Sequence, residues 1–289
     1  HEVNDSPPTI SGDGYAMGLR AGAELIDMEF IDYQLLTAAP AKLMGYPCHS
    51  SGFLNHGGYL LNRLNERFMS RYDRENMERA PRALINRGVG MEIYEGRGTE
   101  NNAIRIDVRH VFDEINVTAM ADVIKGFMNA GVDPRKDYME VASGPHTYLG
   151  GLRIDEWGRT TQPALYAGGE AAGGVHGANR LGGAALSDTY VFGYRSGLSA
   201  GAEAADRPMP KGEAGNWREA VSELQAQVSR GTTGLSAAEW RKEVQRLVVL
   251  SVGQVRHGER LTQGLAKLDE LAKMFDNVGV EGETLRERC

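Results

Sequence analysis

Residues 164–183 read Ala-Leu-Tyr-Ala-Gly-Gly-Glu-Ala-Ala-Gly-Gly-Val-His-Gly-Ala-Asn-Arg-Leu-Gly-Gly. Small apolar residues predict a strand over residues 164–167, which leads into glycines and then into a helix over about 184–197. Free N–H groups and the positive end of the dipole at such a helix start attract electron-rich or anionic groups. The stretch therefore predicts one wall of a cofactor site, with Glu170 and Arg180 as its charged residues. The alternative interpretation is a glycine-rich surface loop with a solvated arginine.

The composition around this stretch narrows the class of protein. Glycine accounts for 37 of the 289 residues, and the net charge is −7 without a basic block, which argues against a nucleic-acid partner. With 41% hydrophobic and 25% charged residues, the chain is typical of globular proteins. The longest apolar run, residues 247–253, is too short to span a membrane. Cys48 and Cys289 have no metal-ligand spacing, so we expect neither a metal site nor a disulfide framework.

Periodicity predicts the elements on either side. We expect a turn at residues 11–14, a helix in which Tyr15, Leu19, Ala23 and Ile26 recur, and a strand over residues 28–33. Further elements follow in the order hairpin at 57–62, helix at 117–130 and strand at 152–155. Three amphipathic helices are predicted after residue 210, on the apolar positions Trp217, Val221, Leu224, Val228; Trp240, Val244, Leu247, Val248; and Leu261, Leu265, Leu268, Phe275.

Several motifs in this order resemble one family. They are the run 168–188, Ser-Gly-Asp-Gly at 11–14, Pro-His-Thr-Tyr-Leu-Gly-Gly at 145–151, Tyr-Leu-Leu-Asn at 59–62, Glu-Arg-Phe-Met at 66–69, Met-Glu-Ile-Tyr-Glu-Gly-Arg-Gly at 91–98 and Gly-Val-Asp-Pro at 131–134. Together they resemble the flavoprotein subunit of the succinate dehydrogenase and fumarate reductase family, to which L-aspartate oxidase also belongs. The resemblance covers essentially the whole chain.

The resemblance implies a partial α/β FAD-binding domain, an inserted α+β capping domain and a C-terminal helical bundle. In this interpretation the FAD-binding domain comprises residues 1–33 and 146–207, the capping domain residues 34–145, and the helical domain residues 211–289. Since no Gly-x-Gly-x-x-Gly follows a strand, we expect the family's N-terminal βαβ unit, which holds the FAD diphosphate, to lie upstream of His1.

The resemblance also implies roles for individual residues. Arg82 would be the catalytic acid that protonates the substrate carbon while the flavin N5 exchanges a hydride with the neighbouring carbon. Substrate binding would fall to His146, Arg180, Ser50 and Gln34. Contacts to FAD would come from Asp13, Glu170, Ala185, Leu186, Gly169 and His176.

The substrate side departs from the family pattern. Where dicarboxylate-using members have His-Pro-Thr-Gly, this chain reads Gln34-Leu35-Leu36-Thr37. Ser50 keeps a hydroxyl, but Ser51 and Leu54 replace the glutamate and arginine of the family's proton relay, which requires titratable groups. We therefore expect an FAD-dependent oxidoreductase acting on a carboxylic acid other than plain fumarate or succinate.

Two alternatives remain open at this point. One is a non-catalytic flavin-binding subunit, and the other is a split subunit that works only with a second polypeptide. The expected partners are a small carboxylic acid and an iron–sulfur or other electron-transfer subunit, without a membrane span. The expected location is the cytoplasm, or the inner face of a membrane by way of a partner subunit.

Overall fold

The computed structural model describes residues 3–7, 10–115, 120–208, 217–228, 235–275 and 278. The chain divides into two compact units, one of Val3–Pro208 and one of Met209–Cys289 with His1–Glu2. We describe each by itself. The finer division into FAD-binding, capping and helical domains stays a prediction.

In the first unit, the elements run α1 (Asp13–Arg20), β1 (Leu25–Ile26), β2 (Ile31–Ala39), α2 (Ser50–Asn55), β3 (Tyr59–Leu61), α3 (Arg82–Tyr94), β4 (Ile104–Asp107), α4 (Phe112–Ile115), α5 (Ala121–Asn129), β5 (Met139–Tyr148), β6 (Gly151–Arg153), β7 (Ala172–Gly173) and α6 (Ala184–Asp206). The described part of the second unit contains α7 (Trp217–Val228), α8 (Ala237–Val252) and α9 (Gly258–Met274).

Two sheets organise the first unit. Strands β2, β5, β4 and β3 form a four-stranded sheet in that order, and every neighbouring pair is antiparallel. A smaller sheet has the order β1, β6, β7, in which β6 and β7 are parallel. The chain therefore has a mixed α/β fold.

The main hydrophobic core lies around the four-stranded sheet. Its largest fully buried side chains include Phe53, Phe68, Phe127, Leu60 and Ile104. A second cluster, around the small sheet, is built from Ala23, Leu152, Ala167 and Ala172. Because these side chains are small, the backbones there approach one another closely: a Cβ on Gly150 would lie 2.3 Å from the Asp27 carbonyl oxygen.

Several predicted elements have other bounds or partners. The predicted helix through Ile26 ends at Arg20, because the chain turns at Gly22 (φ +91°) and enters β1. The predicted strand at 28–33 begins at Ile31 instead and runs to Ala39, after a turn in which the Phe30 amide donates to the Asp27 carbonyl.

Other corrections concern the middle of the chain. The hairpin predicted at 57–62 is wrong, because β3 pairs with the distant β4. Residues 164–167 form no strand; Ala164 has φ +63° and only an isolated bridge joins Tyr166 to Arg159. The helix predicted at 117–130 is α5, and the predicted start lies outside the described residues. The strand predicted at 152–155 is β6, over Gly151–Arg153.

The predicted helix over 184–197 extends further, to Asp206. Its side chains on one face are exposed to solvent, namely Leu186, Tyr190, Val191, Tyr194 and Leu198. The three predicted C-terminal helices are present as α7, α8 and α9. In this unit Trp240 of α8 donates its indole N–H to the Leu271 carbonyl of α9 (3.0 Å) and stacks edge-on against Phe275. Among the described residues no helix is both long and apolar enough to cross a membrane.

Candidate active site

The site is built on one face of strand β2. Asp32 and Gln34 are two residues apart, so their side chains point to the same face at a separation of about 7 Å. Opposite them, the register of β5 moves from Thr147 to Pro145 between Asp32 and Tyr33, which makes His146 the extra residue of a β-bulge. Bulges of this kind re-aim a side chain, here toward the residues around Gln34.

Asp32 joins the two predicted substrate arginines. Arg180 donates to Asp32 Oδ2 from Nη2 (2.8 Å) and Nε (3.2 Å), and Arg82 donates to the same oxygen from Nη2. Asp32 is 8% exposed and the Arg180 side chain only 3%, whereas 35% of the Arg82 side chain is exposed. The structure thus brings Arg82 and Arg180 together, and leaves Arg82 with a free face.

Asn86 fixes the start of α3 and with it Arg82. The buried Asn86 side chain donates to the carbonyls of Tyr33 (3.0 Å) and Arg82 (2.9 Å), and it accepts a hydrogen bond from the Ser143 hydroxyl (2.6 Å). One side chain therefore ties α3 to both β2 and β5. Because its donors and acceptor are all used, the first turn of α3 is held in one position.

A second carboxylate, Asp5, holds the other predicted substrate residues. Asp5 Oδ2 lies 2.7 Å from His146 Nδ1 and accepts a hydrogen bond from Gln34 Nε2. The Asp5 side chain is 7% exposed, and its Oδ1 is buried without a hydrogen-bond partner in the part of the chain that the structure describes. The site therefore contains two arginines and two carboxylates, and His146 adds a positive charge only when it is protonated.

The glycine-rich wall comprises residues 168–183, which begin just before β7 and end at the N-cap of α6. Gly174, Gly177 and Gly183 all have positive φ, and Cβ atoms added at Gly177, Gly182 and Gly183 would meet nothing within 4 Å in the described chain. Gly183 is the N-cap of α6 and contributes no capping side chain. A flat, polar ligand can therefore approach this backbone and the N–H groups at the helix start.

His176 and Asp188 tie this wall to α6. His176 Nε2 lies 3.3 Å from Asp188 Oδ2, and both side chains are largely buried. Burial raises the pKa of Asp188, and the neighbouring His176 opposes that rise. His176 was predicted to line the cofactor wall, and the structure shows it joining the wall to the first turns of the helix.

Glu170 connects the wall to the large sheet. Its Oε1 accepts a hydrogen bond from the Tyr148 amide (2.9 Å), and its carbonyl accepts one from the Tyr15 hydroxyl (2.7 Å). Burial raises the pKa of Tyr15, and the charge of Glu170 adds to that rise. Tyr15 therefore stays protonated, and within the described residues no hydrogen bond uses the second carboxylate oxygen of Glu170.

The remaining predicted residues lie apart from these contacts. Asp13 is exposed at the start of α1, where it accepts from the Ser11 hydroxyl (3.1 Å). Ser50 is half-buried in the first turn of α2, and within the described residues no hydrogen bond joins it to Asp32 or Asp5. Ala185 and Leu186 begin α6, and Leu186 is exposed. Gly169 is buried, with φ +68°, against Thr189.

Three residues of the site, Asp32, Asp5 and Asn86, were not predicted from the sequence. Asp32 offered a signal, because a carboxylate inside a largely apolar strand is rarely buried without a cation. Asp5 lies outside any periodic element, so its sequence context offered none.

Comparisons with known proteins decide the family. Residues 3–186 match the family described as FAD binding domain. The chain belongs to this FAD-binding family. Membership confirms the expected cofactor, FAD, and the resemblance to fumarate reductase and succinate dehydrogenase flavoproteins.

Three proteins show which known proteins this chain is similar to. A fumarate reductase (CoM/CoB) subunit of Methanothermobacter marburgensis is 46% identical over 206 residues, which cover 69% of this chain and 36% of that protein. The succinate dehydrogenase flavoprotein subunit of Rickettsia bellii is 29% identical over 97% of this chain and 49% of its own length. The solved structure of Mycobacterium smegmatis Sdh1 in complex with UQ1 superposes with a TM-score of 0.82 at 32% identity, over 98% of this chain and 47% of that one. The chain spans half or less of the length of these relatives.

Proposed function

We propose that the chain is the substrate-binding part of an FAD-dependent oxidoreductase that transfers a hydride between the flavin and a carboxylic acid. The proposal rests on one observation. Arg82 and Arg180, which are 98 positions apart in the sequence, both donate hydrogen bonds to Asp32 Oδ2 of β2. Two guanidinium groups at one point form an anion-binding site. The proposed domain arrangement, with residues 34–145 as a cap, follows the relatives.

The described residues fit FAD. The uncapped start of α6 and the open glycine backbone at 182–183 suit a polar, electron-rich group, and the free oxygen of Glu170 suits a hydroxyl donor. When bound, the flavin supplies the hydride-transfer chemistry. Asp13, Gly169, His176, Ala185 and Leu186 keep their predicted cofactor roles as part of this proposal.

The chain's own residues would then hold the acid. Arg180, which is buried and fixed by Asp32, orients the guanidinium pair. Arg82 presents its exposed face to a substrate carboxylate or to the carbon that gains a proton. His146 and Gln34, held by Asp5, face the other end of the substrate, and Ser50 keeps its predicted substrate-binding role as part of this proposal. The bulge and Asn86 keep these groups in position, which is what a proton transfer at a fixed carbon requires.

The proposed partners follow the same relatives. Two of them are named as subunits, so we propose that electrons come from, or pass to, an iron–sulfur or other electron-transfer subunit. The proposed location is the cytoplasm, or the inner face of a membrane through that partner.

The test uses the protein in its full length with FAD bound. The flavin is reduced without oxygen, mixed with an unsaturated acid, and followed by its oxidised absorbance band. We expect reoxidation, and a loss of at least about a hundredfold in rate for Arg180→Ala, because a buried charge partner of the substrate is removed. Equal rates for wild type and Arg180→Ala would contradict the proposal. Bound FAD that no acid reoxidises would favour the non-catalytic alternative.

A further inference from the structure

The proposed site differs from an anion-binding site formed by arginines alone, because it also contains buried carboxylates. Asp32 Oδ2 already receives hydrogen bonds from both Arg180 and Arg82. A substrate carboxylate that approaches the same guanidinium groups must lie beside this buried carboxylate. Since like charges within a few ångströms repel, Asp32 weakens the attraction that two arginines exert on a second negative charge.

Asp5 also disfavours a carboxylate, at the other end of the proposed substrate site. It lies against His146 and Gln34, the two residues that would face the far end of an acid, and it brings a negative charge there. Its Oδ1 is buried and has no hydrogen-bond partner among the described residues. A buried carboxylate oxygen of this kind calls for a hydrogen-bond donor.

We infer that Asp5 determines the substrate specificity of the site, which prefers an acid with one carboxylate and a hydrogen-bond donor at its other end over a dicarboxylate. Asp32 weakens the binding of the carboxylate that all such acids share. The carboxylate binds the exposed face of Arg82. The donor, a hydroxyl, amide or amino group, lies against Asp5. The inference rests on the proposed function and names the substrate class for that site.

The test compares three acids of nearly the same length. Fumarate has two carboxylates, fumaramate has one carboxylate and an amide donor, and monomethyl fumarate has one carboxylate and no donor. Binding of each to the full-length FAD-loaded protein is measured by titration calorimetry. For wild type we expect fumaramate to bind at least about tenfold more tightly than fumarate, with monomethyl fumarate between them.

Two variants separate the roles of the two carboxylates. Asp32→Asn should tighten the binding of all three acids, fumarate included, by at least about tenfold, because it frees both arginines for the carboxylate that the acids share. Asp5→Asn should bring the affinities for fumaramate and monomethyl fumarate to within about threefold of each other, because the charged acceptor is lost.

A matched control is Asp107→Asn. Asp107 has the same 8% exposure as Asp32 and pairs with an arginine, Arg109, but it lies on β4. This variant should leave all three affinities unchanged.

Three results would overturn the inference. They are equal affinities of wild type for fumarate and fumaramate, an unchanged fumarate affinity in Asp32→Asn, and no binding of any of the acids. The wild-type series decides the question even where a variant does not fold. Reoxidation of the reduced flavin is followed in parallel and tests the proposed function separately: fumarate that binds tightly and reoxidises the flavin would contradict only the specificity inference.

Discussion

Two buried carboxylates of this chain, Glu92 and Asp32, each bind two arginines, yet they differ in how they are surrounded. Glu92 is fully buried in α3, and both of its oxygens accept hydrogen bonds. Its donors are Arg71, Arg97, Asn62 and Tyr72, all within 30 residues along the chain. Asp32 uses one oxygen, Oδ2, for its two arginines, which lie 50 and 148 residues away.

This difference distinguishes a structural ion-pair cluster, around Glu92, from the Asp32 cluster, where we propose that a substrate anion binds. Around Glu92 both carboxylate oxygens accept hydrogen bonds, from four side chains, and both arginines are partly exposed. Around Asp32 one arginine is buried and the other keeps an exposed face, so a second anion can enter. We therefore propose that ion pairs of the same composition serve stability around Glu92 and substrate recognition around Asp32.

The largest expected effect comes from breaking the saturated cluster. Glu92→Gln removes the buried negative charge that Arg71 and Arg97 share and should lower the free energy of unfolding by about 3–5 kcal/mol. Asp32→Asn should cost less, because Asp32 accepts these hydrogen bonds at one oxygen, whereas Glu92 accepts them at both. Urea denaturation of both variants measures the two losses. Equal losses would mean that the two carboxylates do not differ in the way described.

The second prediction concerns pH. Burial by itself raises the pKa of Glu92, but hydrogen bonds from Arg97, Asn62, Tyr72 and Arg71 outweigh it and lower the pKa to about 2. A carboxyl with a lowered folded-state pKa contributes stability above its unfolded value, near 4.5, and that contribution is lost as the pH falls toward 2.

Wild type should therefore lose stability steadily between pH 4.5 and 2, and Glu92→Gln should lose less over the same interval. Chemical denaturation at a series of pH values gives both slopes. Parallel slopes for the two proteins would remove Glu92 as the cause.

The smallest expected effects concern the glycine-rich wall, which contains Arg180, the partner of Asp32. A Cβ on Gly168 would lie 2.9 Å from the Gly193 backbone nitrogen in α6, so Gly168→Ala should destabilise the protein by about 1–3 kcal/mol. Gly197→Ala, in the same helix with nothing within 4 Å in the described chain, should stabilise it by about 0.5–1 kcal/mol. Thermal unfolding compares the two, and a loss of similar size in both variants would contradict this account of the wall.

Much of the local structure could be predicted from the sequence. The three C-terminal helices and the start of α6 follow from apolar periodicity and from the glycines before residue 184. Arg82, His146 and Arg180 were predicted because the resemblance to a family implies roles for them. The pairing of β3 with β4 could not be read from residues 57–62, since its partner lies about 45 residues further along the chain.

The contacts within the site were harder to predict for a physical reason. Asp32 was visible in the sequence as part of a strand, but a local pattern does not tell which distant arginine meets it. Asp5 and His146 are 141 residues apart, and Asp5 lies outside every strand, so no local pattern indicates their contact. The roles of the individual site residues therefore stay predictions until the variants are measured.

The pairing of β2 with β5 governs the order in which the chain folds. The donors of Glu92 are local, so that cluster has a low contact order and can form as soon as residues 62–97 are synthesised. The Asp32 cluster must wait for loop closure over the intervening residues and for Arg180, 148 residues later. We therefore expect the Asp32 cluster to form after the Glu92 cluster when the chain folds during synthesis.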